Sequence, residues 1–379
     1  MEKLKADVII WGNDNYNVLG LLRQLTPYVE NVLFLINGKA GHCATKSRYC
    51  KQYKVVKNVQ DGIDYLIKKG KGSQRTSFVI TSSDLLAEAV DKYHDELSRY
   101  YVLCTTFETG LLGKALDKNY QCELASKVGI NVPSSRLFNS VSTTGGIIYP
   151  CLIKPAFKRA GVYHPFKTKV CHNEDELRKT QGLLDKNGTY VLQQYVKKEK
   201  DLLVYGCRFD DGRVEYAGSF TKYRWSKGDG SYGTIDSAIP LSIDIDKLNT
   251  FLAEIDYRGL FSAEFGEENG VAWFYEFNLR NDGTSHYFFQ AGIANLPLTW
   301  VKYHLNKALP EYRNAGSFIF MDEIGDYANV KTGLISEAEW KQQKEEATIY
   351  KYYDKKDKRP YYYMKIYQLI ARLYHKIKR

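Results

Sequence analysis

The sequence predicts an α/β protein that opens with a doubly wound parallel sheet, and two observations carry this prediction. Short apolar runs typical of buried strands occupy residues 7–12, 32–36, 53–56 and 77–81. Apolar residues recur at helical spacing after the first of these runs, and a second helix is expected at about residues 83–97. Because strands that alternate with helices form parallel sheets, roughly the first 105 residues are expected to form one.

The pattern that follows predicts a mixed α+β region. A helix is expected at 114–128, where Gly129 and then Pro133 end it. Further strands are expected at 147–155 and 189–196, a helix near 173–184, and hairpins at 202–223 and 261–277 that turn at 211–212 and 268–270. The Gly-rich segment 227–233 predicts a mobile loop.

Composition is that of a globular protein with more than one domain. The chain has 379 residues, 44% hydrophobic and 26% charged, which favours two or three domains. No apolar run reaches the ~18 residues of a transmembrane helix, and the first residues lack the apolar core of a signal peptide. The seven cysteines form no C-x-x-C pair and are odd in number. This pattern argues against a disulfide framework or a zinc site and predicts a cytoplasmic protein.

The net charge of +10 is concentrated at the C-terminal end. Residues 351–379 contain ten Lys or Arg and two Asp, a net charge of +8, so the first 350 residues carry only +2. A nucleic-acid-binding function would rest on this charge alone, and no nucleic-acid partner is expected.

The C-terminal segment predicts a basic amphipathic helix. Ser336 and Glu339 fit a capping box that opens a short polar helix. After Pro360, apolar residues fall at helical spacing, with basic residues on the other faces. The apolar positions are Ile366, Leu369, Ile370, Leu373 and Ile377, and the basic ones are Lys365, Arg372, Lys376, Lys378 and Arg379. Residues 361–379 are expected either to lie on an anionic membrane surface or to dock on the body or a second copy.

The most informative residues are the acidic ones of the second hairpin. Side chains two residues apart share one face of a strand, so Glu276, Asn278 and Arg280 are expected to point the same way. Glu264 lies on the partner strand. Two carboxylates and an amide oxygen form a hard oxygen site of the kind that Mg²⁺ takes with phosphate oxygens. The alternative is a polar strand face in water, but the apolar residues between them imply a strand buried on its other face.

The ordered series of motifs resembles the ATP-grasp superfamily. Ile153-Lys154-Pro155 and residues 192–196 precede the acidic hairpin. Residues 276–280 with Gly283 and Ser285, followed by residues 291–295, more narrowly resemble the D-aspartate ligase and carboxylate–amine ligase branch. Residues 47–50 are similar to a stretch of the domain that precedes the grasp. The resemblance covers roughly residues 7–305 and rests on the order of the motifs.

This resemblance implies a domain organisation and a reaction. An N-terminal pre-ATP-grasp α/β domain would span 1–112, a two-subdomain ATP-grasp domain 113–310 with its small subdomain at about 140–195, and a C-terminal extension 311–379. The implied activity is an ADP-forming ligase that converts a carboxylate into an acyl-phosphate and couples it to an amine, such as an amino acid added to an envelope or polysaccharide precursor. ATP and Mg²⁺, or Mn²⁺, are the implied cofactors, and a homodimer is the implied assembly.

The resemblance also implies roles for individual residues. Lys118 and Lys154 would contact the ATP phosphates, and Lys154 would take part in catalysis. Arg280 would be the catalytic arginine, beside the transferred phosphoryl group or the developing oxyanion. The implied hinge that holds adenine is Gln193, Gln194, Tyr195 and Val196. The ribose would be held by Glu199 or Asp201, and the metal by Glu264, Glu276 and Asn278.

Two departures from the superfamily pattern keep other functions open. The loop after Lys154 contains one glycine, Gly161, and Lys158 and Arg159 would replace backbone N–H groups at the phosphates. The hinge has glutamines where a glutamate is common. A non-catalytic nucleotide-binding module is therefore an alternative, as is a kinase or carboxylase-type enzyme on the same fold.

The second-substrate site is less well indicated. Lys222, Arg224 and the glycines at 228, 230 and 233 are expected to form a basic flexible loop that closes over an acidic substrate, or else a solvated hairpin end. Ser285 and His286 would touch substrate or cap a helix. The loop 13–17 follows the first strand, where open α/β sheets bind ligands.

Overall fold

The computed structural model describes residues 2–156, 163, 165–166, 168–226, 228–311 and 315–377, with side chains up to residue 370. Lys158, Arg159 and Gly161 of the predicted phosphate loop lie outside the described residues. The same holds for Lys378 and Arg379 and for the side chains of Arg372, Leu373, Lys376 and Ile377.

The described residues form three β-sheets and thirteen α-helices. The strands are β1 (Leu4–Gly12), β2 (Val29–Asn37), β3 (Tyr53–Val56), β4 (Ser77–Thr81), β5 (Tyr101–Leu103), β6 (Ser135–Phe138), β7 (Cys151–Pro155), β8 (Lys169–Cys171), β9 (Tyr190–Gln194), β10 (Lys200–Arg208), β11 (Val214–Ser226), β12 (Asp229–Asp236), β13 (Gly259–Glu268), β14 (Val271–Asn278), β15 (Ser317–Met321) and β16 (Ile349–Tyr350). The helices are α1 (Tyr16–Leu25), α2 (Val59–Gly70), α3 (Asp84–Lys92), α4 (His94–Leu97), α5 (Leu111–Ala115), α6 (Lys118–Lys127), α7 (Glu174–Gln181), α8 (Ile245–Glu254), α9 (Ser285–Gln290), α10 (Leu296–His304), α11 (Tyr327–Lys331), α12 (Glu337–Glu346) and α13 (Arg359–Ile377).

The N-terminal sheet is parallel throughout, in the order β3-β2-β1-β4-β5. The central strand β1 is buried on both faces, since Ile9 and Ile10 are each at most 1% exposed. Helix α1 packs in the core on one face, and α2 and α3 contribute to the core on the other. The predicted doubly wound parallel sheet is confirmed, and it places the loop after β1 at the ligand-binding edge.

The largest sheet has seven strands in the order β14-β13-β10-β11-β12-β15-β16, and only β15 and β16 pair in parallel. Both predicted hairpins are present in it, β10–β11 and β13–β14. The second turns through Asn269 and Gly270, both with positive φ, as a two-residue hairpin turn of type I′ requires. Strands β15 and β16 lie beyond residue 310 but join this sheet, and the domain boundaries stay a prediction.

The small sheet has the order β6-β9-β7-β8 and packs on its own core with α7. Strand β7 begins at Cys151, four residues later than predicted, directly after Pro150, which has no N–H for a ladder. Lys154 lies near the end of β7, and Gln193 and Gln194 end β9, its neighbour.

The prediction of a mobile loop at 227–233 is wrong for the residues described there. Asp229–Asp236 form β12, which pairs with both β11 and β15. A Cβ on Gly233 would lie 2.0 Å from the backbone oxygen of Thr221, so this glycine permits close strand approach and does not signal a loop. Lys222 and Arg224 are each 9% exposed and lie in β11, which excludes the basic flexible loop expected from them.

The helix predicted at 114–128 is two helices. Helix α5 ends at Ala115, and α6 begins after Asp117, whose side chain accepts the backbone N–H groups of Asn119 and Tyr120. This N-cap stops α5 from continuing and places Lys118 at the first position of α6. The predicted end of the segment is confirmed, because Gly129 has a φ of +81° and follows the last turn.

The C-terminal segment is tied to the N-terminal sheet by a buried salt bridge. Arg23 of α1 donates from Nε to Oδ2 of Asp357 over 2.9 Å, and both side chains are 1% exposed. Arg23 also donates from Nη2 to the backbone oxygen of Tyr352, and its Nη1 lies 3.1 Å from Nε2 of His286. Asp357 further accepts the Ser47 hydroxyl at 2.7 Å. Each charge is therefore paired and hydrogen-bonded, as burial requires.

Helix α13 docks by its first turns and exposes its apolar face further along. The Tyr363 and Tyr367 rings meet the His42 ring edge-on, and Met364 is buried. Ile366, Leu369 and Ile370 are between 56% and 60% exposed. Among the described residues, no helix combines the length and the apolar composition needed to cross a membrane.

We expect Asp357→Ala to lower the free energy of unfolding by about 3–5 kcal/mol, because it leaves the buried Arg23 cation unpaired. Urea unfolding followed by circular dichroism measures the change. Asp354→Ala, three residues earlier and outside this salt bridge, is the matched control. Equal unfolding midpoints for the two variants would contradict the role given to the salt bridge.

Candidate active site

A cleft of about 480 Å³ separates the small sheet from the seven-stranded sheet. Lys118, Lys154, Glu264 and Glu276 all line it, although they come from a helix and three different strands. The predicted hinge contributes Gln193, Gln194, Tyr195 and Val196. Residues from both sheets therefore meet around one space.

The acidic residues converge because of the hairpin register. Glu264 of β13 and Glu276 of β14 are directly opposite each other, and Asn278 pairs with Ser262 two positions along. Next to Glu276 the register shifts by one residue, so that Phe265 pairs with Phe274 and Tyr275 is the extra residue of a bulge. Phe274 and Phe277 belong to the core on the opposite face, which turns Glu276 toward the cleft. Asn278 is buried outside the cleft lining, and its Nδ2 donates to Oε1 of Glu264 over 3.3 Å.

Lysines offset the charge of both carboxylates. Lys118 contacts Oε2 of Glu276. Lys222 of β11 lies 3.3 Å from Oε2 of Glu264, and burial raises the pKa of the Glu264 carboxyl. A divalent cation would offset the cost of the buried negative charge on Glu264. Two carboxylates and an amide oxygen are hard ligands that suit Mg²⁺. The facing carboxylates of Glu264 and Glu276 thus fit such an ion, whereas the amide oxygen of Asn278 accepts from Arg280 and its Nδ2 faces Glu264.

Arg280 comes two residues after the end of β14 and contacts the N-terminal sheet domain through Asp84. Its Nη2 donates to Oδ1 of Asn278 over 2.9 Å and its Nε to Oδ1 of Asp84 over 2.8 Å. Asp84 begins α3, so Arg280 connects the acidic hairpin with the ligand-binding edge of the parallel sheet. The side chain is 15% exposed, and an anion at this point would meet a cation already held in place.

Lys154 points from the small sheet into the same cleft. Its Nζ donates to Oε1 of Gln193 over 3.2 Å, and burial lowers the pKa of its ammonium group. No carboxylate in the described part of the chain lies within ion-pair distance of Lys154, so this half-buried cation can take a phosphate oxygen. Gln193 lies beside it and can orient it.

The two residues considered for the ribose differ in position. Glu199 is exposed, and its carboxylate accepts the backbone N–H of Asn269 at the hairpin turn. Asp201 is buried, and its Oδ2 accepts from Lys198 at 2.8 Å and from the Trp225 indole at 2.6 Å. Its Oδ1 is buried without a hydrogen-bond partner among the described residues. Lys198 lines the cleft, whereas neither acid is part of its lining.

Ser285 and His286 lie in the core and not in the cleft. His286 is 1% exposed, and its Nε2 lies within hydrogen-bond distance of Arg23 and of Gln290. Burial lowers the pKa of His286 well below its usual value. The Ser285 hydroxyl accepts from Gln24. Both residues join α9 to α1 and its partners.

Two further residues lie near Arg280: Tyr16, in the loop that the sequence analysis singled out, and Lys351, which sequence reasoning missed. The Tyr16 ring packs on Gly283, where an added Cβ would lie 2.3 Å from it. Lys351, from the C-terminal segment, lies 4.3 Å from the centre of this ring. It is 6% exposed and pairs with Asp229 at 3.1 Å and Asp322 at 3.2 Å. The position of the loop after β1 pointed to Tyr16, but no local pattern marks Lys351, which lies 335 residues away in the chain.

Comparison with known proteins identifies the fold. The sequence matches no protein-family model and no curated protein. The N5-carboxyaminoimidazole synthetase of Staphylococcus aureus, complexed with ADP, superposes with a TM-score of 0.65 and 15% identity over 88% of this chain and 87% of that one. The L-amino acid ligase of Bacillus licheniformis gives a TM-score of 0.58 and 12% identity over 84% and 80%.

A third similar structure is a biotin carboxylase domain. The domain dimer of the Hydrogenobacter thermophilus 2-oxoglutarate carboxylase, in complex with MgADP, ADP and bicarbonate, gives a TM-score of 0.61 and 13% identity over 84% of this chain and 74% of that one. All three proteins are members of the ATP-grasp superfamily. With both sheets of the grasp and the parallel sheet before them in place, the chain has the ATP-grasp fold.

Proposed function

We propose that the protein is an ADP-forming ligase that activates a substrate carboxylate as an acyl-phosphate and joins it to an amine. The observation that carries the proposal is the meeting of Lys118, Lys154, Glu264 and Glu276 in one cleft, with Arg280 connected to Glu264 through Asn278. The similar structures support it, because they include an amino acid ligase and enzymes complexed with ADP and MgADP.

In this mechanism, Lys118 and Lys154 bind the phosphates of ATP and hold its γ-phosphate toward the acidic hairpin. Glu264, Glu276 and Asn278 would hold Mg²⁺ or Mn²⁺, which supplies positive charge beside the phosphate oxygens when bound. The substrate carboxylate attacks the γ-phosphorus and ADP leaves. An amine then attacks the acyl carbon and phosphate departs, while Arg280 offsets the charge that develops on oxygen.

The adenosine is proposed to lie against the hinge at the end of β9. Tyr195 and the buried Val196 offer apolar contact for the adenine ring, and the backbone of Gln193 and Gln194 is at the cleft. Glu199 or Asp201 is proposed for the ribose, and Asp201 is connected to the cleft through Lys198, which lines the cleft and pairs with Asp201 over 2.8 Å.

We further propose that α13 makes peripheral contact with an anionic membrane. Its apolar residues 366, 369 and 370 are exposed, and residues 351–379 carry a net charge of +8. A ligase held there could act on envelope or polysaccharide precursors at the inner surface of the membrane. A homodimer is proposed on the analogy of the biotin carboxylase domain dimer.

The turnover test measures ADP and phosphate release from Mg-ATP across a panel of L- and D-amino acids, each offered as carboxylate and as amine. We expect release that requires both, and a loss of at least about 100-fold in Glu276→Gln, because that variant removes a charge from the proposed metal site. Glu254→Gln on the exposed side of α8 is the control. Tight ATP binding without turnover by any pair would favour the non-catalytic module, and a released phosphorylated product would favour a kinase.

Nucleotide binding tests the role of Lys154. We expect Lys154→Met to raise the Kd for Mg-ATP about 10- to 100-fold, since a hydrogen bond to a charged group contributes about 1.5–3 kcal/mol. Lys169→Met, on the neighbouring strand β8 and exposed, should leave the Kd unchanged. Isothermal titration calorimetry measures both, and an equal effect of the two substitutions would remove Lys154 from the nucleotide site.

Vesicle co-sedimentation tests the role of α13. We expect the full chain to bind phosphatidylglycerol vesicles and the 1–358 truncation to lose that binding, because the truncation removes the helix but keeps Asp357. Binding should weaken as salt is raised, since lysines and arginines contribute to it. The variant Ile366→Asp/Ile370→Asp keeps the chain length and should bind as poorly as the truncation. Equal sedimentation of the full chain and the truncation would dismiss the membrane proposal.

A further inference from the structure

Lys118 contacts a residue of the proposed metal site, and the proposed mechanism gives this contact no role. The mechanism assigns Lys118 to the ATP phosphates, yet its Nζ contacts Oε2 of Glu276. Asp117, the N-cap of α6, accepts the backbone N–H groups of Asn119 and Tyr120 and so fixes the start of the helix that carries Lys118. Lys118 and Glu276 both line the cleft. The same ammonium group therefore serves the acidic hairpin and the space proposed for the nucleotide.

The two carboxylates of the acidic pair differ in how firmly their cations are held. The side chain of Lys222, which pairs with Glu264, is 11% exposed and belongs to β11. The side chain of Lys118, which contacts Glu276, is 71% exposed. Separating Lys222 from Glu264 would leave buried charges unpaired, which is costly. The Lys118 ammonium can turn into water at little cost, because ion pairs with an exposed partner contribute little to stability. Glu264 thus keeps its cation, whereas Glu276 can exchange its cation.

The contact between Lys118 and Glu276 creates a competition for one carboxylate. A divalent cation and an ammonium group are both attracted to Glu276, and two cations at the same carboxylate repel each other. Phosphate oxygens in the cleft would attract the Lys118 ammonium in turn, since lysine binds phosphate through its charge. A nucleotide that draws Lys118 away leaves the Glu276 carboxylate to the metal.

We propose that Lys118 competes with the divalent metal for Glu276 and that nucleotide binding ends this competition by drawing Lys118 to the phosphates. This regulation of the metal site rests on the proposed function. Lys118 then has two effects of opposite sign: it weakens binding of the metal alone, and it strengthens binding of the nucleotide. A lysine that only bound phosphate would have the second effect and not the first.

Titration of the full chain with Mn²⁺ in the absence of nucleotide tests the first effect. The electron paramagnetic resonance signal of free Mn²⁺ gives the Kd. We expect Lys118→Met to lower this Kd about fivefold, which corresponds to the ~1 kcal/mol that an ion pair with an exposed partner contributes at most. Lys118→Arg keeps a cation for Glu276 and should stay within about twofold of wild type. Glu276→Gln should weaken Mn²⁺ binding, because it removes a carboxylate ligand.

Lys154→Met is the matched control for the loss of a positive charge. Lys154 lines the same cleft, but no carboxylate of the described residues lies within ion-pair distance of it. At physiological ionic strength, charges that are not in contact are screened, so this variant should change the Kd for Mn²⁺ by less than about twofold. An unchanged melting temperature checks the fold of each variant.

Nucleotide binding supplies a second readout through thermodynamic linkage. The Kd for ATP is measured by isothermal titration calorimetry in EDTA and in excess Mg²⁺, and the ratio of the two values reports how strongly metal and nucleotide favour each other. This ratio should be about fivefold smaller in Lys118→Met than in wild type, because linkage is reciprocal. The affinity of Mg²⁺ for free ATP is common to both proteins and cancels in the comparison.

Four results would overturn the proposal, and they separate its failure from failure of the proposed function. An unchanged or higher Kd for Mn²⁺ in Lys118→Met would show that Lys118 does not compete at Glu276, while the ligase proposal stands. Equal tightening in Lys118→Met and Lys154→Met would reduce the effect to a general loss of charge. Intact ATP binding with no Mn²⁺ binding by any variant would remove the metal from the acidic pair. Wild-type protein that binds no ATP with or without Mg²⁺ would overturn the proposed function itself.

Discussion

The buried salt bridge between Arg23 and Asp357 holds the N-terminal parallel sheet and the seven-stranded sheet in one arrangement. It joins the first helix of the parallel sheet to the segment that follows the last strand of the seven-stranded sheet. Through His286 the same arginine reaches α9, the helix that follows β14 and its Glu276 in the chain. Since a buried charge without a partner is costly, these parts are held in one arrangement. The loop after β1 is thereby kept against the end of the cleft.

The candidate site is built as a row of alternating charges along one strand direction. From the small sheet to the parallel sheet the order is Lys118, Glu276, then Arg280 and Asp84, and each charge has an opposite partner before any ligand arrives. These ion pairs keep the side chains in place before a ligand binds. A ligand then replaces one partner of an ion pair and does not have to order the side chains. Among the described cations that line the cleft, Lys154 departs from this pattern, because it has no carboxylate partner.

Most of the fold could be predicted because its signals are local. Strand alternation and turn residues define both hairpins, and the positions of Glu276 and Asn278 two residues apart in β14 follow from a period of two, whereas Arg280 lies beyond the end of the strand. Strand β12 could not be predicted, because its glycines serve close strand approach yet have the composition of a loop. Lys351 was missed for another reason. Its surroundings come from distant parts of the chain, and no spacing in the sequence records that proximity.

The separation of Arg23 from Asp357 has a consequence for synthesis. Arg23 leaves the ribosome among the first residues, and its partner follows 334 residues later. Until Asp357 has been made, the Arg23 cation of α1 has no carboxylate to pair with and cannot be buried at low cost. The parallel sheet can therefore assemble early but cannot reach its final packing. Domains of nascent chains generally fold in order from the N-terminus. In this protein the last step is the pairing of Asp357 with Arg23 of the first helix. A chain that ends before residue 357 lacks this pairing, which distinguishes it from the full-length protein for quality-control proteases.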